Sequence, residues 1–196
     1  MNLSALFEFL SEESVAAHRE YLYKKKVEYS ILELSEPKLS GASFEKIIKM
    51  RLDKELKREA YRKKRNIDLH ELYFFSFTEK RGENITLPQG YRSTAELQYH
   101  IFTVATEEEC HSDFLTVLFD TRTGGLRPTT ERDVGSGEIP VLAIDLAEHA
   151  YFSDYGFERE EYVKAAVARL DLRKISDFAE GFNKKRERRR EFVKNN

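Results

Sequence analysis

Tryptophan is absent from this sequence of 196 residues, and cysteine occurs only once, as Cys110. A lone cysteine excludes an internal disulfide and a cysteine-based zinc site, and it is typical of a reducing compartment. No apolar run in the sequence approaches the roughly 20 residues of a membrane span. The N-terminal segment MNLSALFEFLSEES places acids directly behind its apolar patch, unlike a secretory signal. We therefore expect a cytoplasmic protein without a membrane partner.

Several common active-site motifs are also missing. The sequence has no GxxxxGK, GxGxxG, GxSxG or HExxH segment, which excludes the usual phosphate-binding loop, dinucleotide site, hydrolase elbow and zinc-protease helix. Its 33 basic and 35 acidic residues leave a net charge of -2, so the whole chain has no overall attraction to nucleic acid. Phe and Tyr are plentiful instead, at 14 and 10 residues, and can build a substantial core.

The first 90 residues have the pattern of a helical domain. Ser11 is a capping residue followed by acids, and no Gly or Pro interrupts the segment before Pro37, which predicts one helix. After the breaker segment SEPKLSGAS, a second helix is predicted from Ser43 through the basic stretch 46–65 and the aromatic segment IDLHELYFFSF. We predict a helical N-terminal domain over residues 1–90.

The pattern changes after residue 90. A capped helix, STAELQYHIFTVATEEE, precedes three strand-like segments, and the helical segments DLAEHAYFSDYG and EREEYVKAAVARLDL follow. The three strand-like segments are FLTVLFD, LRPTTERD and IPVLAID. The tail KKRERRREFVKNN has the composition of a solvated helix end. The predicted fold class is α+β, with an α/β domain over residues 91–196.

Candidate chemistry centres on histidine. Asp145 and His149 are four residues apart at the start of a predicted helix, a spacing at which both side chains can hold one ion. His18 and His70 lie on the apolar faces of two predicted helices. Each of these residues taken alone is more often structural than a ligand. Two further histidines lie near acids and receive no role: His100 and His111.

The segment DLAEHAYFSDYG, preceded by IPVLAI, resembles the C-terminal motif D-x-W-E-H-A-Y of the iron and manganese superoxide dismutases. Upstream, FLSEESVAAHREY is similar to the first helix of that family, and NIDLHELYFFSF is similar to its N-H-x-x-Y/F-W segment. The resemblance covers most of the chain. It implies an N-terminal helical hairpin domain and a C-terminal domain with a three-stranded antiparallel sheet.

The resemblance also implies a metal site. The four ligand positions of the family fall on His18, His70, Asp145 and His149. They imply one Fe or Mn ion per subunit and superoxide as the substrate, which is converted to oxygen and hydrogen peroxide. Three imidazoles and one carboxylate suit a mid-series redox metal, although zinc or cobalt could also occupy such a site.

The sequence departs from the family around these ligands. The family's gateway tyrosine falls on Lys26, and we expect this ammonium to attract superoxide instead. The slot of the solvent-binding glutamine falls near Glu131 or Arg132 in the manganese type and on Asn66 in the iron type. Both positions that distinguish the iron type from the manganese type are altered, so the sequence does not indicate which of the two metals is bound. The other departures fall on Phe74, Phe114 and Ala147 for tryptophans, and on Leu22 and Phe152 for a histidine and tyrosine pair.

Glu148 is retained, and the resemblance implies a homodimer in which Glu148 contacts the partner subunit's His149. Two alternatives stay open. One is a metal-binding or scaffold protein on the same fold with lost or altered redox activity, whose basic helix 46–65 and basic tail would meet an anionic partner such as RNA. The other is a different redox or oxygen-linked activity on the same metal. Basic runs are more often solvated faces, so we expect no nucleic-acid partner.

Overall fold

The structure, a computed structural model, describes residues 3–79, 85–107, 112–130, 134–135 and 137–194, with side chains described up to residue 188. Within these residues the helices are α1 (Ser4–Phe7), α2 (Glu12–Ser35), α3 (Phe44–Ile48), α4 (Lys54–Phe75), α5 (Thr94–Thr106), α6 (Phe152–Tyr155), α7 (Arg159–Val167) and α8 (Arg173–Lys194). The strands are β1 (Phe114–Asp120), β2 (Leu126–Thr129) and β3 (Glu138–Asp145). Two short 3-10 turns cover Pro37–Leu39 and Glu148–Ala150.

The N-terminal half is helical, as the pattern predicted. Ser11 caps α2, because its side-chain oxygen accepts a hydrogen bond from the Ser14 backbone N–H at 3.1 Å. The prediction of one helix from Ser43 onward is wrong, since residues 49–53 separate α3 from α4. The physical reason is a second cap: the Asp53 carboxylate accepts from the backbone N–H groups of Glu55 and Leu56 and starts a new helix.

The C-terminal half contains one antiparallel sheet with strand order β2-β1-β3. The central strand β1 is buried along nearly its whole length. Phe114, its first residue, pairs with Asp145, the last residue of β3, and the register shifts by one residue between Val117 and Leu118. The helical N-terminal region followed by this sheet confirms the predicted α+β fold.

Helices cover the sheet and join the two halves. Helix α4 packs against β3, and the Ser76 hydroxyl accepts a hydrogen bond from the Ala143 backbone N–H at 2.9 Å. Phe178 of α8 packs on Phe119 of β1. The end of α4 is thus fixed to the middle of β3, the strand that ends at Asp145. Among the described helices, none has the length and apolar character required to cross a membrane.

Candidate metal centre

Four side chains that are distant in sequence meet at one point between α2, α4 and the end of β3. The Nε2 atoms of His18 and His70 each lie 3.1 Å from Asp145 Oδ2, and His149 Nε2 lies 3.2 Å from the same oxygen. All four donor atoms lie within 4.8 Å of one another. Atoms that share one ion at about 2.1 Å each are about 3 to 4 Å apart, so this group could hold a metal ion.

Secondary structure positions each of the four groups. His18 lies on α2 and His70 lies near the end of α4. The predicted strand IPVLAID does end at Asp145, but the prediction of a helix that starts there and carries His149 is wrong, because His149 lies in the 3-10 turn Glu148–Ala150. Asp145 still pairs with Phe114 in the sheet, and its Oδ1 accepts from the Ala147 N–H at 2.9 Å, so the chain turns before any helix begins.

The centre is buried on one side and exposed to solvent on the other. The side chains of His18, His70 and Asp145 are 1%, 0% and 0% exposed, whereas that of His149 is 31% exposed. Burial lowers the pKa of His18, although Asp145 acts in the opposite direction. Burial also opposes ionisation of Asp145, but its contacts with the rings of His149, His18 and His70 outweigh burial and hold the pKa of Asp145 well below its usual value. His18 is therefore neutral and Asp145 ionised near pH 7, the forms that bind metal.

The hydrogen bond behind His70 makes the donor set fit a cation. His70 Nδ1 lies 2.7 Å from the Asn66 carbonyl oxygen, which can only accept, so Nδ1 carries a proton. In the neutral ring Nε2 then has a lone pair, and that lone pair faces Asp145 Oδ2 at 3.1 Å and His149 Nε2 at 3.3 Å. Lone pairs this close repel each other unless a cation or proton lies between them. A backbone carbonyl behind a histidine is also the usual support of a metal ligand.

Aromatic rings enclose the buried side of the centre. Tyr73 and Phe74 lie 4.8 Å and 5.0 Å from the His18 ring, and Phe114 lies 4.9 Å from the His70 ring. Phe74 and Phe114 are two of the positions where the family resemblance places tryptophan, so rings remain there. Ala147, the third such position, is partly exposed. The centre is thus walled by smaller rings on its inner side.

Tyr21 is a neighbour of the centre that the sequence interpretation missed. Its ring stacks on His149 with centroids 4.2 Å apart, and it lies 5.2 Å from the His70 ring. Burial raises the pKa of Tyr21, and the charge of Asp145 adds to this effect. The signal was the helical spacing, because a residue three positions after His18 lies one turn further along the same side of α2.

Tyr162 supports Asp145 from behind and was also missed. Its hydroxyl donates to the Asp145 carbonyl oxygen at 2.7 Å and lies 3.5 Å from the Tyr73 hydroxyl. Both tyrosines are fully buried. Because a hydroxyl has one proton, the Tyr73 hydroxyl is left to donate to Tyr162. No local pattern connects residue 162 with residue 145, since the contact joins α7 to the end of β3.

The other predicted residues lie around this group. Lys26 forms an ion pair with Glu71 at 2.5 Å. The Asn66 side chain acts to lower the pKa of the Tyr21 hydroxyl, against the effect of burial, while its Oδ1 is buried and has no hydrogen-bond partner among the described residues. Glu148 is exposed. Three further positions lie outside the predicted ligand set. Leu22 is buried, Phe152 is exposed, and His100 hydrogen-bonds with Tyr91. Three residues named in the sequence analysis lie outside the described ranges: Glu131, Arg132 and His111.

Comparison with known proteins places the C-terminal part of the chain in a family. The family model for iron/manganese superoxide dismutases, C-terminal domain, matches residues 86–178. The matched range contains Asp145 and His149, whereas His18 and His70 lie before it. A search of curated proteins finds no match. The match therefore supports membership of the iron/manganese superoxide dismutase family, through the C-terminal domain alone.

Proposed function

We propose that this protein is a metal-dependent superoxide dismutase that holds one iron or manganese ion per subunit through His18, His70, Asp145 and His149. The convergence of these four donor atoms within 4.8 Å carries the proposal, together with the family match. The bound ion would supply a one-electron redox cycle between its +3 and +2 states. Two superoxide anions and two protons would then give one oxygen and one hydrogen peroxide.

The side chains of the centre favour an anionic substrate. Three neutral imidazoles and one carboxylate offset only one unit of the ion's charge, so the loaded centre stays cationic in either oxidation state. Burial of Asp145 and His18 keeps water from screening that charge on the inner side. His149, the most exposed of the four, marks the side from which a small anion would enter.

We propose that Lys26 adds positive charge near the entrance. It lies two turns after His18 on α2 and pairs with Glu71, which directly follows His70 on α4. The carboxylate of Glu71 reduces the attraction that a free ammonium would have. A Lys26→Gln variant should lose activity at low salt and match the parent at high salt, and equal activity at both would remove this role.

We propose a homodimer in which Glu148 contacts the partner subunit's His149. Glu148 is exposed in the described chain, as a residue reserved for a partner must be. A carboxylate on the outer nitrogen of a ligating histidine would orient the ring. Sedimentation should therefore give a dimer, and a Glu148→Ala variant should be a weaker dimer. A monomeric parent that binds metal fully would contradict this assignment.

A metal-binding protein with altered redox activity is the second candidate. It is favoured by Asn66 and Ala147, where the family resemblance places a glutamine and a tryptophan. Hydrogen bonds around a centre tune the metal potential, so a changed amide can move it away from the superoxide couple. We propose Asn66 as the amide of this centre, because its buried Oδ1 has no hydrogen-bond partner within the described part of the chain and can accept from a proton-bearing group.

One experiment separates these candidates. Protein purified after iron or manganese supplementation is analysed for metal, and each form is assayed for superoxide removal. Stoichiometric metal with activity supports the dismutase, metal without activity supports the second candidate, and no metal refutes both. His149→Ala should abolish metal retention, and His100→Ala is the matched control because His100 bonds to Tyr91 away from the four ligands. Equal retention by both variants would refute the site.

A further inference from the structure

The position of the His149 ring depends on few contacts. His149 belongs to a three-residue 3-10 turn, whereas His18 and His70 lie on helices of 24 and 22 residues. Its side chain is also the most exposed of the four. Of its contacts with other rings, the one with Tyr21 is the shortest, at 4.2 Å with an interplanar angle of 28°. The centroid of the His149 ring lies 5.1 Å from that of His18 and 5.5 Å from that of His70.

Tyr21 is itself held from two sides. It lies on the long helix α2, and the Lys25 ammonium lies over its ring at 5.1 Å. The side chain of Asn66 on α4 acts on the Tyr21 hydroxyl in the direction that lowers its pKa. The Asn66 backbone carbonyl accepts from His70 Nδ1 at 2.7 Å. Asn66 therefore contacts His70 directly, while Tyr21 contacts His149.

We propose that Tyr21 is a positioning residue that holds the His149 ring in the orientation in which its Nε2 faces Asp145. The inference rests on the proposed function, because it takes the four side chains as metal ligands. Tyr21 lies one turn from His18, whereas the family resemblance places its tyrosine on Lys26. The stacked ring contributes the contact, and helix α2 sets where the ring lies.

Metal affinity measures this role. Mn²⁺ alone is titrated into the metal-free full chain, and free Mn²⁺ is followed by its electron paramagnetic resonance signal. Supporting groups around metal ligands typically change affinity by about 10- to 100-fold, and we expect Tyr21→Leu to bind Mn²⁺ about 10-fold more weakly than the parent. Tyr21→Phe keeps the ring and should bind at least several-fold more tightly than Tyr21→Leu. Tyr23→Leu is the control, because Tyr23 is on the same helix and 67% exposed.

A second measurement needs no metal. In the metal-free protein the stacked Tyr21 ring should shift the His149 ring protons upfield in the nuclear magnetic resonance spectrum. That shift should persist in Tyr21→Phe and be lost in Tyr21→Leu, while Tyr23→Leu should leave it unchanged. If Tyr21→Leu does not fold, the parent spectrum and Tyr21→Phe still decide, since the absence of any upfield shift in the parent would overturn the inference.

The outcomes distinguish this inference from the function on which it rests. A parent chain that binds no Mn²⁺ and no iron refutes the proposed function, and the ring shift then tests the contact alone. A parent that binds Mn²⁺, with Tyr21→Leu binding equally tightly, overturns the role of Tyr21 and leaves the metal site intact. A Tyr21→Phe variant as weak as Tyr21→Leu would overturn the assignment of the contact to the ring.

Discussion

Removing one oxygen atom from Tyr162 tests how Asp145 is held in place. In Tyr162→Phe, the hydrogen bond to the Asp145 carbonyl at 2.7 Å is lost, and the fully buried Tyr73 hydroxyl loses its partner at 3.5 Å. A neutral hydrogen bond contributes about 1 kcal/mol net, and a buried unpaired donor costs about 1 to 3 kcal/mol. We therefore expect Tyr162→Phe to lower the free energy of unfolding by about 2 to 4 kcal/mol.

Tyr73→Phe tests the other hydroxyl of the Tyr162–Tyr73 pair. It removes the donor together with its long hydrogen bond, so no polar group is left unpaired and the expected cost is below about 1 kcal/mol. The double variant should cost no more than Tyr162→Phe alone, because the unpaired hydroxyl is gone. The two substitutions should therefore be coupled by about 1 kcal/mol, in the range found for residues that share a hydrogen-bond network.

Urea unfolding of the metal-free proteins is the assay, because bound metal would add its own stabilisation. Tyr99→Phe on α5 is the control, since Tyr99 is 73% exposed and its variant should lie within about 0.5 kcal/mol of the parent. The reasoning would be refuted if Tyr162→Phe were as stable as Tyr99→Phe. It would also be refuted if the costs of Tyr73→Phe and Tyr162→Phe simply added.

Two further predictions concern α2. Ser11→Ala removes the cap that accepts from the Ser14 N–H and should lower the free energy of unfolding by about 1 kcal/mol. The control Ser30→Ala, at an exposed position within the same helix, should not lower it. Equal effects of the two variants in urea unfolding would contradict the role of Ser11 as a cap. Burial raises the pKa of Tyr29 from 10.0 to about 12, so its contribution to stability is complete below pH 10 and is lost as the pH rises toward 12. Between these pH values the free energy of unfolding should fall less for Tyr29→Phe than for the parent. Identical decreases in the two proteins would contradict the raised pKa.

Local patterns were sufficient for the elements that carry the histidines. The Ser11 cap and the absence of Gly and Pro predicted α2, and the apolar run of IPVLAI predicted β3. The break at residues 49–53 was missed, although Asp53 is a good cap. Helix-forming residues on both sides of this segment predicted a continuous helix. The Asp53 side chain instead bonds to backbone N–H groups only two and three residues ahead, and these bonds compete with continuation of the helix.

The family resemblance, not periodicity, predicted which residues would meet. Spacing alone could join Asp145 to His149, and even there it suggested a helix where the structure has a strand end and a 3-10 turn. Tyr162 could not be predicted as a neighbour of the centre, because it reaches Asp145 from another element, whereas Tyr21 follows His18 on the same helix and its spacing was a signal. Contacts between elements depend on packing geometry that no short pattern records.

The ligand candidates also connect distant parts of the chain. His18 and Asp145 are 127 residues apart, and His70 and His149 are 79 apart. An ion shared by them would act as a cross-link that the unfolded chain cannot form. A ligand that binds only the folded state, at 100 times its dissociation constant, stabilises that state by about 2.7 kcal/mol. Scarcity of the ion would then reduce the folded population itself, so the abundance of the protein in a cell would follow metal supply.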